Sequence, residues 1–165
     1  METIEGFFKL YAPELKANFV TYSKEIPDEP VYVKGVTAEI QQILMILVKN
    51  SIHAMKHSQE KRLIFKLTKL NHSTARVAVS DTGYGIKKEN LHTIFEPFFT
   101  TKASTEGTGM GLHNAKGFIQ RHNGRIWAES EGENKGATFV FELPITHDIK
   151  AQDIKKKENK TDWAY

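Results

Sequence analysis

The spacing of apolar positions changes several times along the chain, and each change marks an element. Residues 37–57 carry the clearest pattern. Ile40, Ile43, Leu44, Leu47, Ser51, Ala54 and Met55 recur at helical spacing, with Gln42, Lys49 and Lys56 on the opposite side. Thr37 is placed to cap this helix, and Glu39 falls in its first turn, where negative charge suits the helix dipole. Asn50 sits at the edge of the stripe, and Ile46, His53 and His57 continue that flank one turn apart.

Elsewhere the alternation is closer to two. Residues 18–24 alternate weakly and read as a strand; Pro27 and Pro30 break it, and residues 31–33 form a short edge strand. Residues 62–70 and 74–80 are apolar and β-favouring around an Asn71-His72-Ser73 turn, which predicts a hairpin. A short helix is expected over 87–94, followed by the aromatic cluster Phe95-Glu96-Pro97-Phe98-Phe99. Residues 100–108 have no apolar period and read as a mobile loop. A helix over 111–122 ends at Asn123-Gly124, a good C-terminal signal. Strands over 125–129 and 137–143 flank a polar, glycine-bearing turn over 131–136, and Pro144 ends the last. The opening residues are a mixed stretch with no assigned element. Strands and helices interspersed, with several strands joined by hairpins, predict an α/β (α+β) two-layer sandwich. Its sheet is mixed but mostly antiparallel, and helices cover one face.

At 165 residues, with 39% hydrophobic and 26% charged positions, the chain has the make-up of one soluble globular domain. The absence of cysteine excludes disulfides, zinc–thiolate sites and cysteine nucleophiles. The longest apolar run, residues 43–48, is far short of a membrane span, and Glu2 and Glu5 argue against a cleavable leader. A net charge of +3 is too mild to argue for nucleic acid. Residues 146–165 hold five lysines and four acidic residues and read as a charged, flexible tail after a domain over 1–145.

Three features carry candidate chemistry. Asn50 on the helix flank is either a surface amide or an oxygen ligand for a hard cation such as Mg²⁺. Asp81-Thr82-Gly83-Tyr84-Gly85 at a strand end is either a plain turn or a place where backbone approaches a flat ligand while Asp81 accepts a hydrogen bond from it. Gly107-Thr108-Gly109-Met110-Gly111 before a helix can turn backbone N–H groups toward phosphate. It is neither the dinucleotide fingerprint nor a P-loop.

The order of the three is the stronger signal. With LVKNSIHAM, DTGYGI, FEPFFTTK, GTGMGLHNAK and a closing GATFVFELP, the chain resembles the ATP-binding (Bergerat/GHKL-type) catalytic domain of sensor histidine kinases. The resemblance implies ATP and Mg²⁺ as ligands. It implies that Asn50 coordinates Mg²⁺, that Asp81 takes a hydrogen bond from the adenine amino group, and that Gly83 and Gly85 line the adenine slot. Ile86 and Leu112 would be its apolar walls. Thr101, Lys102, Gly107, Thr108, Gly109, Met110 and Gly111 would shape the lid and phosphate end. Thr138 would lie near adenine, His53 and Lys102 would approach phosphate, with Lys116 a weaker candidate, and Phe95, Phe98 and Phe99 would anchor the lid.

One departure concerns the position one turn before Asn50, where the family usually carries Asn, His or Glu. Ile46 stands there, which leaves no catalytic acid or amide and puts intrinsic hydrolysis in doubt. Of the seven histidines, His147 alone is followed by an acidic residue, and it lies in the tail, so the chain reads as the catalytic half alone. The implied partners are a histidine-bearing dimerisation domain and a response-regulator receiver domain, with no nucleic acid, no direct membrane contact and an isolated monomer. The implied location is cytoplasmic, whether or not the parent is anchored in the inner membrane. Two rival classes use the same fold: a nucleotide-sensing module without transfer, and a serine-directed kinase of the anti-sigma type. An ATP-gated dimerisation clamp would need the missing glutamate.

Overall fold

The computed structural model describes residues 2–101 and 108–146; the expected mobile loop falls largely, and the tail almost wholly, outside them. The described chain forms helices α1 (Glu2–Ala17), α2 (Thr37–Ala54) and α3 (Gly111–Arg121) and strands β1 (Thr21–Glu25), β2 (Arg62–Lys69), β3 (Thr74–Asp81), β4 (Arg125–Glu129) and β5 (Ala137–Pro144). The sheet order is β1-β2-β3-β5-β4. The β1–β2 pair is parallel, and β2–β3, β3–β5 and β4–β5 are antiparallel. The mixed, mostly antiparallel two-layer sandwich expected from the pattern is the one observed.

Alternate residues of the strands supply the core. Leu63, Phe65 and Leu67 of β2, Val77 and Val79 of β3, and Phe139 and Phe141 of β5 are buried against Ile43, Leu44, Leu47 and Val48 of α2. Helix α2 packs against both α1 and α3.

Several elements differ from expectation. The opening residues form α1, whose Ile4, Phe7, Phe8 and Leu15 are buried. This helix includes Pro13 and ends at Ala17; beyond it Phe19 takes a left-handed φ of 58°, and Val20 N–H reaches back to Leu15 O at 2.9 Å. Strand β1 starts at Thr21, and residues 31–33 contribute only a single bridge, Val33 to Ile145. The N-cap of α2 is Val36 rather than Thr37, and no side chain on the helix caps it. His122 Nε2, 3.0 Å away, accepts the Val36 N–H instead. Helix α2 stops at Ala54, short of His57, because Ala54 O turns to accept the Tyr84 N–H at 3.2 Å. The expected helix over 87–94 is two 3-10 turns, Lys88–Asn90 and Thr93–Phe95. Pro144 is the last residue of β5, in register with Thr74.

The second sheet face is closed partly by charge. Glu142 is buried, with Oε1 accepting from Arg76 Nε and Nη2 at 2.9 and 2.7 Å and Oε2 from Arg125 Nε at 2.6 Å. The Trp127 ring lies 5.3 Å from the Arg76 guanidinium and 5.2 Å from that of Arg125.

Candidate nucleotide site

Strand β3 ends in Asp81, which is 7% exposed. Its Oδ1 accepts from Gly83 N–H at 2.9 Å and Ala137 N–H at 3.3 Å, while its Oδ2 is buried with no hydrogen-bond partner. Burial holds the carboxyl above its usual range, against the lowering effects of the Gly83 N–H, the Ser51 hydroxyl and the Ala137 N–H. An unpartnered buried acceptor on a residue that lines a cavity calls for an explanation, since such atoms are otherwise almost always satisfied, and a ligand donor supplies one.

The cavity beside Asp81 has a volume of about 610 Å³, within the range of small-molecule sites. Helix α2 contributes Asn50, His53 and Ala54 to it. Ile86, Leu112, Ala137 and Phe139 supply apolar wall. Tyr84 and Gly85 line it from the turn after β3, and Thr101 and Thr108 stand on it at the two ends of the segment 102–107. Gly109 and Gly111, at the start of α3, also face it. The N–H groups of that first helical turn have no partners within the helix and suit an anion.

The turn after β3 is tied to the β4–β5 hairpin. Asn134 N–H donates to Tyr84 O at 2.7 Å, Gly136 N–H to Gly83 O at 3.1 Å, and Ile86 N–H to Ser130 Oγ at 3.0 Å. Gly85 has a φ of +74°, and a Cβ there would run into the Gly132 carbonyl. Gly109 has a φ of +68°, and its Cβ would lie 2.5 Å from the Phe98 carbonyl carbon, so only glycine closes the loop onto that backbone.

Most of the residues singled out in the sequence meet at this cavity: Asn50, His53, Asp81, Gly85, Ile86, Thr101, Thr108, Gly109, Gly111 and Leu112. Lys102 and Gly107 lie outside the described residues. Gly83 sits behind the wall against Ala54, and Met110 is not among the lining residues. Thr138 is on the wrong face. Strand alternation turns it away from its neighbour Ala137, and its hydroxyl lies 2.8 Å from Ser80 Oγ. Ala137, in register with Asp81, occupies the place assigned to it. Lys116 reaches Glu96 at 3.3 Å and does not line the cavity. Phe95 is core, Phe98 is 74% exposed and Phe99 lines the cavity. Ile46 stands under the start of α3, its Cγ2 3.5 Å from a Cβ built on Gly111.

Sequence reasoning missed Tyr84, Lys87, Glu133 and Asn134 as lining residues. Tyr84 could have been found from its place between two lining glycines. Glu133 and Asn134 are brought in by the hairpin tie, which no local pattern announces. Among the described residues no group of three or more His, Asp or Glu side chains could hold a metal ion.

The fold and this cavity define an ATPase-type nucleotide domain. Residues 35–147 match the family described as histidine kinase-, DNA gyrase B- and HSP90-like ATPase, and the chain belongs to that family. Within it, the chain is a histidine-kinase catalytic domain by likeness to the catalytic domain of histidine kinase ThkA. That solved structure covers 87% of this chain and 92% of its own, at 31% identity and a TM-score of 0.74. A ThkA structure in complex with the response regulator protein TrrA aligns over 90% of this chain and 41% of its own, at 27% identity and a TM-score of 0.72. The sensor protein FixL of Bradyrhizobium diazoefficiens is 42% identical over 106 residues, 64% of this chain and 20% of FixL. The sensor histidine kinase WalK of Bacillus subtilis is 33% identical over 154 residues, 90% of this chain and 23% of WalK. The chain thus spans about a fifth of the length of these curated relatives.

Proposed function

We propose that this domain, residues 1–145, binds Mg²⁺·ATP and transfers the γ-phosphoryl group to a histidine on a separate dimerisation domain, for relay to a response regulator. One observation carries the reading: Asp81, whose buried Oδ2 has no partner, lines the same cavity as Asn50 and the start of α3. The carboxylate accepts the 6-amino group of adenine. Ile86, Leu112, Ala137 and Phe139 sandwich the purine. The N–H groups near Gly109 and Gly111 take phosphate oxygens, and His53 adds a donor.

Asn50 would offer magnesium one neutral oxygen from the cavity wall. Held there, the ion would supply neutralisation of the phosphate charge. The transfer forms a phosphorus–nitrogen bond to the imidazole and breaks the bond to the ADP oxygen. An imidazole nitrogen has a lone pair without prior deprotonation, so Ile46 does not block this step, while it gives no base for activating water. Turnover by the isolated domain is therefore low. The work is done in the cytoplasm by a monomer that docks on its partner; among the described residues no helix is long and apolar enough to cross a membrane.

The test is transfer of γ-labelled phosphate from ATP to a histidine-bearing dimerisation domain of a sensor kinase. Acid-labile label on that domain supports the reading. Label on serine supports the anti-sigma type instead. The observation favouring a purely sensing module is Ile46, and ATP binding with no transfer in this assay would select it.

A further inference from the structure

Ser51 is fully buried on α2, and its Oγ has no hydrogen-bond partner. It does not bond back to its own helix, as buried serines often do. Among the described residues, the only other buried side-chain oxygen or nitrogen in this condition is Asp81 Oδ2. Ser51 lies on α2 and Asp81 ends β3, and those two elements pack together. The Ser51 hydroxyl lowers the Asp81 carboxyl's hold on a proton, while neither Ser51 Oγ nor Asp81 Oδ2 has a hydrogen-bond partner.

We propose that Ser51 is a positioning residue for purine recognition: when nucleotide binds, its hydroxyl donates to Asp81 Oδ2 and keeps that oxygen an acceptor, so the cavity selects a 6-amino over a 6-oxo purine. The inference rests on the nucleotide reading above. An ionised Asp81 can only accept, which suits an amino group and repels a ring carbonyl. A protonated Asp81 presents a donor, which suits the carbonyl. A hydroxyl donating to Oδ2 favours the first state and leaves its second lone pair for the ligand. Alanine at this position keeps the packing and loses that preference.

Other ionisable groups face the same cavity: His53 from α2, Tyr84 and Lys87 from the turn after β3, and Glu133 from the β4–β5 hairpin. They are common to wild type and variant, so the comparison isolates the hydroxyl. Calorimetry with Mg²⁺ and either ADP or inosine diphosphate, between about pH 5 and 8, reads the effect. Wild type should prefer ADP at neutral pH. In Ser51→Ala the fall of ADP affinity on acidification should move up by about half to one pH unit, and the ADP preference should narrow by about tenfold at the lower end. Ser51→Cys, similar in size and a weak donor, should be intermediate, and it carries the comparison if the alanine variant does not fold. Superimposable pH profiles and an unchanged ADP-to-inosine ratio in folded variants would overturn the role of Ser51 while leaving the site intact. A folded wild type that binds neither nucleotide would overturn both.

Discussion

Asp81 works against the empty protein. Its carboxyl is held above the usual range chiefly by burial, so the folded state binds a proton more tightly than the unfolded chain does. The stabilising part of that linkage is complete below the unfolded value and is lost as pH rises through the folded one. Wherever it is ionised, the group is a strain on the fold that a ligand donor relieves. Asp81→Asn keeps an oxygen for the Gly83 and Ala137 N–H groups and removes the charge. We expect a higher thermal midpoint for the unliganded variant at pH 7, together with a loss of adenine nucleotide affinity of about 100-fold, since an amide would point a donor at a donor. Melting curves and ADP calorimetry on the same preparation check both halves; a lower midpoint with unchanged affinity would contradict them. Phe19 gives a second test at this scale. It is 84% exposed with a φ of 58°, a conformation that costs a side chain roughly 1 kcal/mol. Phe19→Gly should raise stability by about 0.5–1 kcal/mol in urea melts, with no change in nucleotide binding.

At the scale of elements, β3, β4 and β5 are clamped by Glu142 between Arg76 and Arg125. The hydrogen bond from Arg125 does most to hold the Glu142 carboxyl below its usual range, with Arg76 adding to it. For a depressed carboxyl the stabilisation is present above the unfolded value and disappears as pH falls through the folded one. The protein should therefore lose stability in acid below about pH 4.5, the ordinary glutamate range. Glu142→Gln should lower stability at neutral pH and flatten that acid limb; an unchanged slope in urea melts from pH 3 to 6 would count against the clamp. The same scale shows what local pattern can and cannot reveal. Helices α2 and α3 were legible because their apolar residues recur every three or four positions and α3 ends at Asn123-Gly124. Helix α1 carries the same spacing in Ile4, Phe7, Phe8 and Leu15, but Pro13 masks it; tertiary burial of both phenylalanines outweighs the missing N–H. Helix α2 starts at Thr37 as expected, but its N-cap is Val36, one residue earlier, and the Val36 N–H is held by His122, 86 residues away, which no local pattern shows. Thr138 was misplaced by one residue, and in a strand one residue is the other face.

For the whole molecule, one cavity is lined by Asp81 at the end of β3, the proposed purine reader, by Asn50 on α2, the proposed magnesium ligand, and by the start of α3, so binding should be separable into parts. A ligand that binds only the native state at a hundredfold excess over its Kd adds about 2.7 kcal/mol. For a domain of this size that raises Tm by roughly 5–10 °C. ADP with Mg²⁺ should produce such a shift, and ADP with a chelator a smaller one, because the phosphates then lose the bridge to Asn50. Asn50→Ala should leave the chelated shift intact and abolish the increment from Mg²⁺. Asp81→Asn should abolish the shift under both conditions. The two variants thus fail in different ways if the purine and the metal are read by different elements. Equal loss in both variants would mean a single indivisible contact instead, and a magnesium increment surviving in Asn50→Ala would move the ion's ligand elsewhere. Thermal denaturation of three proteins, with ADP and with or without magnesium, distinguishes these outcomes without any phosphoacceptor, and so tests the site independently of the proposed transfer.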